Sequence, residues 1–419
     1  MNNPAIIALL AFIVVVFARY FLKYLNIKHL KKYGNQIPPE FEGHIDANTL
    51  EKTMAYTIEN ARFGYITSLF SNIILIIFLF GGILNWYNSW LAGFEFHFII
   101  HGILFFFIIS VINTIISIPF DLYDTFKIEN KYGFNTQTPK LWIIDFFKSI
   151  IISFILFSLM GSGIFWIIQS SPNWWWLYAW GFIFVFSLFI TYISPYVIEP
   201  LFNKYDPITE EGLEEKIQSL MKKAGIKVSR VFQMDASKRS KHSNAYFTGF
   251  GKTRRIVLFD TLIEQMTHGE ILTVLAHEAG HWKKKHVLKS MIMFELISLV
   301  SLYVTWFILQ REALYTIFGI EEMNIFAGFV LVGFLGGIVS FPFSPIGNIF
   351  SRHNEYQADK IACELTRDPQ SFISSLIKLS KENLSNLHPH PWFWKFYYSH
   401  PPVVERIANI RTMELNTEG

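Results

Sequence analysis

The chain has 419 residues and a formal net charge of +3; 52% of its residues are hydrophobic and only 16% are charged. Soluble globular proteins carry about a quarter charged residues, so the composition excludes an ordinary soluble enzyme and fits a polytopic membrane protein with a polar portion. The small net charge argues against nucleic acid as a partner, and the single cysteine, Cys363, excludes an internal disulfide and a thiolate zinc cage.

In chain order, Pro4 to Leu22 is a nearly unbroken apolar run, long enough to span a bilayer. It has neither the basic start nor the small-residue cleavage site of a signal peptide. Arg19, Lys23, Lys28, Lys31 and Lys32 lie at or after its end, which predicts an N-terminus outside and the next loop on the cytoplasmic side. After a polar stretch with a Pro38-Pro39 break, further spans are expected at Tyr65 to Trp86, Phe98 to Ile118, Ile143 to Ile168, Trp174 to Tyr196, Met291 to Leu309 and Ile325 to Phe350. That makes about seven on the length criterion. Ser162-Gly163, Gly336-Gly337 and Pro342 to Pro345 are expected to interrupt some of them. Basic loops (Lys127, Lys131, Lys140; then Lys222, Lys223, Arg254, Arg255 and Lys283 to Lys285) alternate with loops poor in Lys and Arg, which places the basic ones in the cytoplasm.

Between the fifth and sixth spans the sequence turns polar. Glu210 to Ala224 reads as an amphipathic helix, Val228 to Met234 and Ser243 to Phe250 as strands, Gly249 to Lys252 as a turn and Arg255 to Phe259 as a returning strand. The expected division is therefore 1–198 (five spans with their loops), 199–290 (first part of a catalytic domain), 291–350 (two spans) and 351–419 (its second part).

The chemistry lies in His277-Glu278-Ala279-Gly280-His281, an H-E-x-x-H pattern on a run that is apolar from Ile271 to Ala276. Four residues advance a helix by about 400°, so the two imidazoles share a face and can hold one metal ion. Glu278 is turned about 100° away, where it can take a proton from water on that metal without being a ligand. A hydrolytic zinc site uses three protein ligands and an open position. Glu355, in Glu355-Tyr356-Gln357-Ala358-Asp359 after the last span, is the best third ligand, with Asp359 on the same face to orient a ligand histidine. The competing reading of that segment is a surface helix with scattered charges. His286, on a continued helix, would point half a turn away from His277 and reads as an interfacial or core histidine; His353 lies on another face from Glu355. Ser399-His400-Pro401-Pro402 is either a turn presenting His400 to a developing oxyanion or simply a helix start. His388 and His390 are weaker candidates.

These motifs together resemble the type I CAAX prenyl proteases over nearly the whole chain. The resemblance rests on Pro119 to Tyr123, Lys131 to Asn135, Glu199 to Tyr205, Asn244 to Phe247, His277 to Trp282, Glu355 to Asp359 and His400 to Pro402. It implies a mainly α integral membrane protein, with seven helices around a water-filled chamber and a zincin-type domain containing a small sheet. It also implies one zinc per chain on His277, His281 and Glu355, Glu278 as base, Asp359 assisting, and an edge strand of Asn244, Ala245 and Tyr246 that receives substrate. The expected partners are the lipid bilayer and a peptide or protein substrate, prenylated or not, with the chain acting as a monomer. The expected home is the endoplasmic reticulum or a bacterial inner membrane. Two readings from other classes remain at this point: a di-iron desaturase or hydroxylase, for which the paired-histidine box is missing, and a transporter with structural zinc, which would not need Glu278.

Overall fold

The computed structural model describes residues 3–248 and 255–415. Its membrane part begins with α1 (Asn3–Tyr33), α2 (Ala47–Phe80), the short α3 (Ile83–Ala92) and α4 (Phe98–Tyr123), which passes through a wide i→i+5 turn into α5 (Asn130–Tyr132). Then come α6 (Pro139–Ser170) and α7 (Trp175–Ile193). A polar segment follows: β1 (Tyr205–Pro207), α8 (Leu213–Lys223), β2 (Arg230–Met234), β3 (Ala245–Thr248), β4 (Arg255–Phe259), α9 (Asp260–Gln265) and α10 (His268–Lys283). The chain re-enters the apolar layer as α11 (His286–Leu309), turns at α12 (Glu312–Ile317) and returns as α13 (Ile325–Ser340). It closes with α14 (Ser344–Thr366), α15 (Pro369–Glu382), α16 (Pro391–Tyr397) and α17 (Val403–Leu415). Among the described residues, seven helical segments are long and apolar enough to cross a membrane.

Several local expectations need correction. The second span stops at Phe80, not Trp86: Gly81 caps it and Gly82, at φ 82°, starts α3 in the left-handed region that glycine adopts without strain. Ser162-Gly163 and Gly336-Gly337 do not interrupt α6 or α13. Gly163 serves packing instead, because a Cβ there would sit 2.3 Å from the Phe182 ring of α7. The break before Pro345 is real: a tight turn, Phe341–Phe343, separates α13 from α14. The expected turn at Gly249 to Lys252 lies outside the described residues.

The sheet runs β1-β2-β4-β3, with β3 at an edge. β3 pairs antiparallel with β4 (Ala245 opposite Leu258), while β2 and β4 are parallel and β1, not anticipated, pairs antiparallel with β2. One core gathers Leu213 and Ile217 of α8, Ile256 and Leu258 of β4, Leu275 of α10, Phe372 of α15 and Ile407 of α17. Segments separated by two membrane spans therefore fold as one body. A second core, around Leu84, Phe105, Phe165, Phe326 and Leu331, joins the spans at their far end. Between these ends, α2 and α4 border a cavity of about 780 Å³ with Asn60, Asn113, Asp121 and Asp124 on its wall.

Candidate metal centre

α10 begins with a capping box: Thr267 Oγ1 accepts from the Glu270 amide and Glu270 accepts from that of Thr267. Lys378 donates to the Glu270 carboxylate at 2.7 Å and Ser374 at 2.6 Å, which fastens the start of α10 to α15. Burial alone would raise the Glu270 pKa, but these donors, Lys378 foremost, hold it below the usual value. Further along, α10 crosses α14 at close range. A Cβ on Gly280 would lie 2.9 Å from Ala358 Cα, so only glycine lets the two backbones approach this closely.

That approach brings three side chains together. His277 Nε2 and His281 Nε2 are 3.2 Å apart, His277 Nε2 is 3.4 Å from Glu355 Oε2, and His281 Nε2 is 3.2 Å from Glu355 Oε1. Tetrahedral coordination at about 2.0–2.1 Å needs ligand–ligand separations of about 3.3–3.4 Å, and each of these contacts, taken to the nearer oxygen of Glu355, is close to that spacing. His277 Nδ1 faces Asp359 Oδ1 at 2.8 Å, so its bare Nε2 points at the other two groups. Two imidazole lone pairs and a carboxylate at these distances call for a positive charge between them. Burial and then Arg406 push the His277 pKa down, but Asp359 and Glu355 together raise it. Glu355 Oε2 is buried and makes no properly angled hydrogen bond, as suits an oxygen able to ligate a cation. The residues present suit the metal.

The other sequence candidates divide. Glu278 is half-buried, next to His277 on α10. Asp359 is fully buried and grips Arg406 in a two-pronged pair, Nη2–Oδ1 2.6 Å and Nε–Oδ2 3.0 Å. His400 places Nδ1 2.8 Å from Glu355 Oε2 while its side chain stays largely exposed. Asn244 is exposed and lies just before β3 rather than on it; on β3, beside α10, Ala245 is buried and the Tyr246 hydroxyl donates to Glu199 at 3.1 Å, as Tyr205 does at 3.0 Å. Burial pushes both phenols up, Tyr205 to about 12, so both remain donors. His388 bonds the Gln36 carbonyl and His390 caps α16, both away from the cluster. The expectation for His286 fails in part. The helix does not continue; Lys285 takes φ 56°, α11 starts afresh, and His286 turns back to lie 3.1 Å from His281. Sequence reasoning missed Arg406 altogether, because a single arginine on a short amphipathic helix gives no sign of burial.

Comparison with known proteins agrees with this geometry. Residues 26–204 match the family described as CAAX prenyl protease N-terminal, five membrane helices, and residues 207–414 match peptidase family M48. The CAAX prenyl protease 1 homolog of Oryza sativa subsp. japonica is 34% identical over all of both chains. The human homolog is 31% identical over 92% of this chain and 91% of its own, and the uncharacterized metalloprotease YhfN of Bacillus subtilis 32% over 81% and 80%. The crystal structure of S. mikatae Ste24p superposes with a TM-score of 0.90 at 30% identity, covering 98% of this chain and 99% of that one. These matches leave no place for the desaturase or transporter readings. With its spans, its His-His-Glu cluster and relatives alike from end to end, the chain belongs to the CAAX prenyl protease branch of peptidase family M48, and is a multi-pass membrane metalloprotease.

Proposed function

We propose that one zinc ion is held by His277, His281 and Glu355, and that Glu278 is the general base of peptide hydrolysis. The observation that carries this reading is the convergence of the ligand groups: the two Nε2 atoms lie 3.2 Å apart, and Glu355 sets one carboxylate oxygen 3.4 Å from His277 and the other 3.2 Å from His281. Zinc in such a site lowers the pKa of its water towards about 7 and polarises the scissile carbonyl. The protein groups do the rest. Glu278 receives the water's proton and passes it to the leaving amine. Asp359, held by Arg406, keeps the proton of His277 on Nδ1. His400 donates to the oxygen that becomes negative. An extended peptide adds to the open edge of β3, with Asn244, Ala245 and Tyr246 supplying main-chain bonds that depend little on sequence.

The substrate is a peptide segment able to enter the helix-walled space, with a prenylated C-terminal cysteine peptide as the preferred form. A prenyl chain adds about 0.8 kcal/mol per buried methylene without changing the chemistry. The names of the plant and human relatives support the prenylated form. The catalytic body, 199–290 with 351–419, works as a monomer on the cytoplasmic side, in keeping with the basic loops that flank it. Zinc analysis and peptide cleavage by purified protein test the whole scheme. His281→Ala and Glu355→Ala should lose zinc, whereas Glu278→Gln should keep it and lose turnover by about 10³-fold. Full zinc occupancy in both alanine variants would end the ligand assignment, and near-normal cleavage by Glu278→Gln would end that of the base.

A further inference from the structure

We infer that His286 is a positioning residue for His281, at the head of a directed hydrogen-bond chain that sets which nitrogen of His281 carries its proton. The inference rests on the zinc-site reading above.

The chain has three links. His281 Nδ1 lies 3.1 Å from His286 Nδ1, His286 Nε2 lies 3.2 Å from Gln357 Oε1, and Gln357 Nε2 lies 2.7 Å from His353 Nε2. The polarity follows link by link from what each atom can do. The Gln357 oxygen only accepts, so His286 Nε2 carries a hydrogen. A neutral His286 then has a bare Nδ1, which accepts from His281 Nδ1–H. That leaves His281 Nε2 bare, and this is the atom 3.2 Å from both His277 Nε2 and Glu355 Oε1. At the far end the amide of Gln357 donates to a bare His353 Nε2. Turning the Gln357 amide over reverses every link: His286 would donate to His281 Nδ1, and the proton of His281 would move to Nε2, where it blocks ligation. Only the first polarity is compatible with a metal.

The backbone places His286 for this. On an unbroken helix it would lie about 140° around from His281. The left-handed turn at Lys285 ends α10 and starts α11, so the ring folds back and is buried, with 3% of its surface exposed. Gln357 and His353 come from α14, which also carries Glu355. The two ligand histidines are thus steadied in different ways: His277 by a carboxylate that an arginine neutralises, His281 by a neutral imidazole–amide chain.

The test is zinc affinity of the purified full-length protein by chelator competition, alongside melting of the metal-free form. His286→Ala should weaken zinc about 10- to 100-fold. His286→Asn, whose carbonyl can stand where Nδ1 accepts, should recover most of that loss. Gln357→Leu, which leaves both rings intact, should weaken zinc by about 3- to 10-fold. Wild-type affinity in His286→Ala, or an Asn variant no better than the Ala variant, would overturn the inference. Wild type and His281→Ala belong in the same titration: failure of the wild type to bind zinc would refute the metal site itself, whereas binding by wild type and His286→Ala alike would refute only the role of His286.

Discussion

Gly280→Ala isolates the close crossing of α10 and α14, because it adds one methyl where the helices touch. That methyl would lie 2.9 Å from Ala358 Cα, 3.0 Å from its carbonyl oxygen and 3.3 Å from its Cβ. Carbon contacts relax at about 3.5–4.0 Å, so α14 must retreat by roughly 0.6 Å or more. Overpacking of this kind costs about 1–3 kcal/mol, offset by about 1 kcal/mol because alanine suits a helix better than glycine. The loss of stability should be modest, between about zero and 2 kcal/mol. The loss of function should be larger. Glu355 and Asp359 flank Ala358 on the same helix and move with it, while metal–ligand distances tolerate only about 0.2 Å. Zinc affinity should fall on the order of tenfold or more, with turnover following it. Chelator competition reads the first quantity, peptide cleavage at saturating zinc the second, and melting of the metal-free protein the third. Gly181→Ala and Gly333→Ala, where an added Cβ meets nothing within 4 Å, are the controls and should change none of them. Wild-type zinc affinity in Gly280→Ala would show that the helix crossing does not position Glu355.

Arg406→Met should be among the most damaging single changes outside the three ligands. It strands the buried Asp359 carboxylate at a cost of about 3–5 kcal/mol, and a thermal melt unchanged from wild type would refute that. His242 offers both ring nitrogens to acceptors, Asn383 Oδ1 at 2.8 Å and Glu129 Oε2 at 3.3 Å. Glu129 raises its pKa above the usual 6.5 despite partial burial, with Asn383 helping. A raised folded pKa means that the stabilisation is complete below about 6.5 and fades as pH rises through the folded value. The melting temperature should therefore fall as the pH is raised above about 6.5. His242→Phe, which keeps the stack on Phe134, should flatten that slope; an equal slope in both proteins would remove His242 as its source. Unprenylated peptides should be cut at the same bond as prenylated ones but more weakly, which mass assignment of the products checks. Labelling of single cysteines placed in 169–173, after replacing Cys363, should occur only from the outside of sealed membranes; labelling only from the cytoplasm would invert the topology.

How much of this was legible in the sequence depends on the distance over which each feature is decided. The spans were legible because length and apolarity are local sums, and the pairing of His277 with His281 because helical period is local. Helix ends were less so. Gly81-Gly82 ends one helix while Ser162-Gly163 ends none, and the difference lies in what faces them: the left-handed backbone at Gly82 in one case, the Phe182 ring on α7 against Gly163 in the other. Strand β1, with three residues, carries too little pattern to be seen without β2 beside it. Glu355 could be chosen as third ligand only because its spacing to Asp359 repeats the helical logic of His277 and His281. Nothing in the sequence reveals that Gly280 against Ala358 sets the distance between these pairs. His286 shows the limit most sharply. Helical arithmetic sent it away from the site, and the arithmetic was sound for a continuous helix. One non-glycine residue in the left-handed region, Lys285, invalidates the premise and returns the ring to His281. Strain of that kind persists where surrounding structure over-determines it. Here the surroundings are the buried bonds of His286 to His281 and Gln357, so the residue that breaks the helix and the residue that steadies the ligand belong to one arrangement.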